Sequence, residues 1–339
     1  LTSKQSDPVV QKSKSDPISV ALVGGGAFAR LYHVPALTTD SRVRLAAICE
    51  PAASPAVHEL AARTGARLTA SLDEALAMAD VVVISTPHTL HAEHVRAALA
   101  RDRHVLVDKP FVLRSAEARE LTEVAAARGR VAAVAFNRRF DPGCRRAREL
   151  LAAGALGRPC LVETLQLGYD TNGWVDDPAL GGGGPFVGRG AHMADFVPWL
   201  TGLRPRRVRA RTHPGPPGRV DRGGLVDVAG EGPDWQAVCL TAGLWMWDEV
   251  RVFGETGVLE LRRPLGQPLG WALTHLGRRG EVVETLPADP AIGGATRDFL
   301  DAVERRRAPA CSFADAWLSV RLIEAAFESA ARDGAWIDC

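Results

Sequence analysis

Lysine is almost missing from this chain. Of 41 basic residues 37 are arginine, and Lys4, Lys12 and Lys14 lie in a polar N-terminal stretch, which leaves Lys109 as the only lysine in the remaining sequence. Arginine is a planar fork that stays charged. Lysine is a compact donor whose pKa moves readily on desolvation, so chemistry at an oxygen can require it where a positive charge alone would not. Cysteine pairs are missing too. Cys49, Cys144, Cys160, Cys239, Cys311 and Cys339 are scattered with no Cys-x-x-Cys among them, which points away from a zinc site or a disulfide framework and fits the reduced thiols of a cytoplasmic protein. No run approaches the ~18 apolar residues of a membrane span. Residues 1–17, rich in Ser, Lys, Asp and Gln, carry no apolar core of a secretory signal and are expected to form a disordered tail. Neither sign of charge is in excess: 41 basic residues against 40 acidic ones leave no electrostatic footprint for nucleic acid or a membrane surface. No internal repeat is visible.

What is present is enough for a substantial core. With 46% apolar residues over 339 positions, about two domains are expected. Ile18 to Val23 reads as a short apolar strand and runs into Gly24-Gly25-Gly26-Ala27-Phe28-Ala29, after which a helix is expected. Strand, Gly-x-Gly-x-x-Ala and helix make a dinucleotide fingerprint. Gly24 permits the tight turn, Gly26 lets the backbone approach a pyrophosphate at the helix start with Ala27 and Phe28, and Ala29 allows close helix-to-strand packing. A second strand, Val43 to Cys49, ends in Glu50, the acid that the fingerprint places about 20 residues on. Glu50 can accept from both hydroxyls of an adenine ribose and would repel a 2'-phosphate, which favours NAD over NADP.

Helical stretches then alternate with apolar strands through Val81 to Ser85, His104 to Val107 and Val131 to Phe136, the pattern of a parallel, doubly wound sheet. In such sheets ligands bind outside the carboxyl ends of the strands, where Gly24, Glu50, Thr86-Pro87 and Lys109 all fall. His88, His91 and His94 suggest a metal cluster by spacing, but they straddle a loop and a first helical turn rather than converging with an open position, so no metal is expected. His91 is instead expected to position the cofactor loop. The domain boundary is placed at Asn137 to Pro142, giving units of 18–138 and 139–339. In the second unit strand follows strand, as at Cys160 to Leu167, Arg206 to Arg211 and Asp248 to Phe253, so its sheet should be largely antiparallel. The glycine run Gly181 to Gly184 could be a plain flexible connection, yet it leads to Gly188, Arg189 and a helix with His192 in its first turn and Asp195 on the same face.

The motifs Gly24 to Ala29, Thr86-Pro87 with His91, Asp108-Lys109-Pro110, Asn137 to Phe140, Gly182 to Asp195 and Glu249 to Gly257 resemble, in order and spacing, those of the Gfo/Idh/MocA family. The family takes its name from glucose-fructose oxidoreductase, inositol dehydrogenase and rhizopine catabolism, and the likeness runs from about residue 18 to the C-terminus. It implies an N-terminal Rossmann domain with a doubly wound parallel sheet. It also implies a C-terminal α/β domain with a large, mostly antiparallel open-faced sheet, used in forming homodimers or homotetramers. The resemblance assigns Lys109 to hold the reacting oxygen and His192 to act as acid or base. Hydride would pass between a nicotinamide and a secondary alcohol or ketone of a sugar, amino sugar or cyclitol. A different unsaturated group, such as an imine or a tetrapyrrole bridge, is the alternative substrate, and a non-catalytic NAD-binding regulator is the alternative role. Two positions depart from the pattern: the motif's Glu is Asp108, and the aspartate many members carry four residues before the histidine is Gly188. With no side chain at Gly188, either a bulkier substrate is admitted there or its hydroxyls fall to Tyr169, Asp170, Asp176 and Arg189, with Asp195 nearby. Whether the Lys109-Pro110 bond is cis is open at this level.

Overall fold

The computed structural model describes residues 16–168, 173–230, 236–242 and 246–339, so most of the expected tail, together with Tyr169 and Asp170, lies outside the described residues. The first sheet has six strands: β1 (Ile18–Val23), β2 (Val43–Cys49), β3 (Arg67–Thr69), β4 (Val81–Ile84), β5 (His104–Asp108) and β6 (Ala132–Ala135). All pairs are parallel, in the order β3-β2-β1-β4-β5-β6. Helices cover both faces of such a sheet, and strands buried on both sides read as unbroken apolar runs; Val81, Val82, Val83 and Ile84 have no exposed surface at all. The order reverses between β1 and β4, so a crevice opens at their carboxyl ends. There the backbone passes so close that a Cβ on Gly24, at φ +91°, would sit 2.3 Å from the Ser85 carbonyl oxygen.

Helices in chain order are α1 (Val34–Thr39), preceded by a π-helical turn at Ala29–His33, α2 (Pro55–Thr64), α3 (Leu72–Ala77), α4 (His91–Ala100) and α5 (Ser115–Ala127). Then come α6 (Pro142–Ala152), the short α7 (Pro178–Gly181) and α8 (Pro185–Gly188), α9 (Gly190–Thr201), α10 (Gly294–Arg305) and α11 (Phe313–Ala331). The start of α6 is fixed by Asp141, whose Oδ1 accepts from Gly143 N and Cys144 N at 3.0 and 3.3 Å.

The second sheet has nine strands: β7 (Pro159–Leu167), β8 (Pro205–Thr212), β9 (Gly223–Gly230), β10 (Gln236–Ala242), β11 (Trp247–Gly254), β12 (Gly257–Arg262), β13 (Ala272–Gly277), β14 (Val282–Leu286) and β15 (Ile337–Asp338). They lie in the order β14-β13-β12-β11-β7-β10-β9-β8-β15, and every pair is antiparallel except β7 with β10. One face packs on α6, α9 and α11 around Val162, Phe196, Leu200, Val250 and Leu322. The C-terminal helices also return to the first sheet. Phe299 and Leu300 of α10 enter one of its cores, and Phe313 of α11 meets Phe111 with ring centroids 4.0 Å apart in the other. α11 therefore belongs to both halves, beginning at Phe313 in one core and ending with Leu322, Ala325 and Ala326 in the next.

Candidate active site

The cofactor end is built by the turn after β1. A Cβ on Gly26 would meet nothing within 4 Å, whereas Ala29 is fully buried against the sheet. Open backbone beside a closely packed small residue is the cradle a pyrophosphate requires. Phe28 stacks on Tyr32, with centroids 5.4 Å apart, and Ala27 lies exposed at the lip. Glu50 follows β2, and its Oε2 accepts from Gly25 N at 2.9 Å, so the acid braces the glycine turn.

The three expected loop histidines separate into three different tasks. His91 is buried and bridges two loops, with Nε2 3.0 Å from the Thr86 carbonyl and Nδ1 2.7 Å from the Pro110 carbonyl. It thus ties the Thr86-Pro87 turn to the segment after Lys109. His88 Nδ1 lies 3.0 Å from the Gly181 carbonyl, and burial pushes its pKa down to about 3. His94 Nδ1 lies 3.1 Å from Thr86 Oγ1. The glycine run is likewise no slack connection: Asp221 accepts from Gly184 N at 2.8 Å and from Phe186 N at 3.2 Å, and a Cβ at Gly184 would sit 2.1 Å from the Asp221 carbonyl oxygen.

Lys109 follows β5, and its peptide bond to Pro110 is cis. Its Nζ donates to the Gly188 carbonyl at 2.8 Å, a link across the two halves of the chain. Burial lowers its pKa to about 8, helped by the charge of Arg189. The neighbouring Asp108 is buried. Its Oδ1 accepts from His33 Nε2 at 2.9 Å and its Oδ2 accepts from Ser85 Oγ, while His33 Nδ1 reaches Thr296 Oγ1 at 2.8 Å. Burial alone would raise this carboxyl, but His33 and Ser85 together hold it below its ordinary range. The π-turn in the first helix carries His33 into that position.

His192 stands in the first turn of α9. Burial, then the charges of Arg138, Lys109, Arg189 and Arg263, keep its pKa well below the usual histidine value, and its buried Nδ1 has no hydrogen-bond partner among the described residues. The structure thus brings Lys109, Gly188, Arg189 and His192 together. Asp195 is not among them. Each of its oxygens accepts from Arg139, Oδ2 from Nε at 3.0 Å and Oδ1 from Nη2, which makes it an anchor for α9. Asp176 pairs through Oδ2 with Arg219 at 3.3 Å, while its buried Oδ1, 3.8 Å from Arg222 Nη1, has no hydrogen-bond partner among the described residues.

Two models of one family cover most of the chain: "Oxidoreductase family, NAD-binding Rossmann fold" matches residues 18–136 and "GFO/IDH/MocA C-terminal domain" matches 144–260. The chain belongs to the Gfo/Idh/MocA family. Curated relatives include D-glucoside 3-dehydrogenase of Escherichia coli (strain K12), 31% identical over 195 residues, which are 56% of this chain and 55% of that protein. Rhizopine catabolism protein MocA of Rhizobium meliloti is 30% identical over 200 residues, 57% of this chain and 60% of that protein. The matched stretches thus span little more than half the length of these relatives. Among solved structures, GenD2 from gentamicin A biosynthesis in complex with NAD superposes with a TM-score of 0.83 at 29% identity, covering 97% of this chain and 98% of the other.

Within this Gfo/Idh/MocA site several contributors escaped the sequence. The Gly188 carbonyl is a backbone group and leaves no trace in residue type. His33 lies within the helix after the glycine turn, where its spacing to Asp108 is invisible. Arg138 falls inside the quoted Asn137 to Phe140 motif, yet only the fold reveals that it turns inward while Arg139 turns to Asp195.

Proposed function

We propose that this Gfo/Idh/MocA member is an NAD-dependent oxidoreductase moving hydride between the nicotinamide and a secondary alcohol or ketone of a sugar, amino sugar or cyclitol. The observation that carries the proposal is Lys109. The only lysine outside the N-terminal stretch projects from the cofactor edge of the first sheet, hydrogen-bonds the Gly188 carbonyl and shares its surroundings with His192.

In this reading Gly24, Gly26, Ala27, Phe28 and Ala29 hold the pyrophosphate, and Glu50 holds the ribose. Thr86, Pro87 and His91 wall the nicotinamide end. When bound, the nicotinamide takes up or returns a hydride at C4. The chain's own residues handle the oxygen and its proton. Lys109 uses one of its three N–H groups on Gly188, which leaves two for the substrate oxygen as negative charge grows there. His192, neutral at physiological pH because burial and nearby cations oppose its protonation, receives the hydroxyl proton as the carbonyl forms; in the reverse direction its protonated ring returns it. The relatives' names, D-glucoside 3-dehydrogenase and the NAD-bound GenD2, support a sugar substrate and NAD. A purely regulatory role has no use for Lys109 together with His192. The test is NADH formation by purified protein over a panel of sugars, aminocyclitols and sugar nucleotides. Turnover confined to one such class is expected, and no turnover in either direction despite tight NADH binding would refute the reading.

A further inference from the structure

Next to His192 the described residues carry more positive charge than their carboxylates neutralise. Asp248, at the start of β11, is fully buried and stands among three guanidiniums: Arg263 donates to its Oδ2, Arg189 Nη1 lies 3.3 Å from both oxygens, and Arg138 Nη2 lies 4.0 Å from Oδ2. Gln166 Nε2 donates to Asp248 Oδ1 at 3.1 Å, so the acid has little left to give. Lys109 adds a further cation, which the charge of Asp108 offsets only in part while that acid's own oxygens accept from His33 and Ser85, so four cations face two carboxylates.

Beyond Asp248 the arginines meet only neutral groups among the described residues, Arg263 Nη1 donating to the Pro268 carbonyl at 2.7 Å and Arg138 Nη1 lying 3.9 Å from the Met193 sulfur. The Arg138 side chain is 6% exposed and lies over the Trp271 ring, 4.8 Å from its centroid. The Arg189 and Arg263 side chains are 14% and 10% exposed. What covers them is Met246, itself 40% exposed, whose sulfur lies 3.0 Å from Arg189 Nη2; a thioether is a weak acceptor on a flexible arm. Burying like charges around one acid is unfavourable unless another anion joins them. Arg138 bears this out: burial pushes its pKa down to about 10, and Arg263 and Arg189 lower it further against the pull of Asp248.

We propose that the substrate carries an anionic oxygen group, a carboxylate or a phosphoryl group, which displaces Met246 and docks on the forks of Arg189 and Arg263 with Arg138 behind them. The proposal rests on the hydride-transfer reading, whose substrate class it narrows to acidic or phosphorylated carbohydrates. Guanidinium forks match planar carboxylate and phosphoryl oxygens in pairs, and a charged acceptor would fill the space now faced by sulfur.

The test compares glucose, glucuronate and glucose 6-phosphate as probes, first by calorimetric titration into the NADH complex and then by NADH formation from NAD. At least one anion is expected to bind about tenfold or more tightly than glucose, with the preference weakening as salt rises. Arg189→Gln and Arg263→Gln, each checked for fold by NADH affinity, are expected to cut that preference about tenfold. Which anion wins distinguishes carboxylate from phosphoryl recognition. Failure of both anions to outbind glucose overturns the proposal whatever the variants do, and so does a preference that survives in both variants. Preferential anion binding with no turnover in either direction across the sugar, aminocyclitol and sugar-nucleotide panel would uphold the anion subsite and refute hydride transfer. NADH formation from glucose at an efficiency matching both anions would do the reverse.

Discussion

At the scale of single residues, Lys109 is where composition and geometry meet. Its scarcity made it visible in the sequence, and the structure supplies what scarcity could not: the Gly188 carbonyl and a pKa lowered to about 8. A lysine whose folded pKa is depressed loses its ammonium as pH rises through that value. His192, held well below its ordinary pKa, keeps its basic form far into the acid range. The pH profile of kcat/KM for alcohol oxidation is therefore expected to stay level through neutrality and fall above about pH 8, with Lys109→Arg removing that alkaline limb along with most activity. A profile still rising at pH 9 would show that the ammonium is not required. Glu50 carries the second prediction at this scale. If Glu50 holds the ribose as proposed, NAD should bind at least about tenfold more tightly than NADP, since a 2'-phosphate would meet a like charge. Equilibrium titration of both, with Glu50→Ala narrowing the gap, checks it.

At the scale of elements, α9 decides where His192 stands, and the Arg139–Asp195 pair holds α9 against the end of β6. The side-chain surfaces of the pair are 10% and 2% exposed, so truncating one partner leaves a buried charge alone. Asp195→Ala is expected to cost about 3–5 kcal/mol in chemical denaturation. Equal stability of variant and wild type would remove Asp195 from this structural role and reopen it as a substrate ligand. The contrast between Asp195 and Lys109 shows what a sequence can disclose. Helical spacing put Asp195 on the face of His192, which periodicity can report, but its partner comes from a loop 56 residues earlier in the chain, which periodicity cannot. The same limit governs the sheets. Apolar strands such as Val81 to Ser85, separated by helical stretches, announced a parallel, doubly wound sheet, and strands without intervening helices announced an antiparallel one. The parallel pairing of β7 with β10 depends on a choice of neighbour across 75 residues, as from Val238 to its partner Glu163, and no local pattern carries it.

At the scale of the whole molecule, α11 couples the two sheets, and the outer face of the second sheet carries a partly exposed apolar row. Leu225 and Leu240, 44% and 37% exposed, lie in one cross-strand row with Leu165. An apolar row on an open sheet face points to a partner surface, and a second copy of the chain is the occupant we propose. Light scattering should give a multiple of the chain mass, and Leu240→Glu should shift it towards the monomer. A monomeric wild type at micromolar concentration would refute that assembly. No helix among the described residues is long and apolar enough to cross a membrane.

The central claim is that Lys109 stabilises charge on the reacting oxygen, and one comparison tests it most directly: the rate of NADH formation by Lys109→Ala against wild type, on whichever substrate class the wild type turns over. Loss of a preordered donor of this kind costs on the order of 3–4 kcal/mol, or roughly a hundredfold to a thousandfold in kcat, while NAD affinity stays within a few-fold. A variant that kept its rate within a few-fold of wild type would contradict the account.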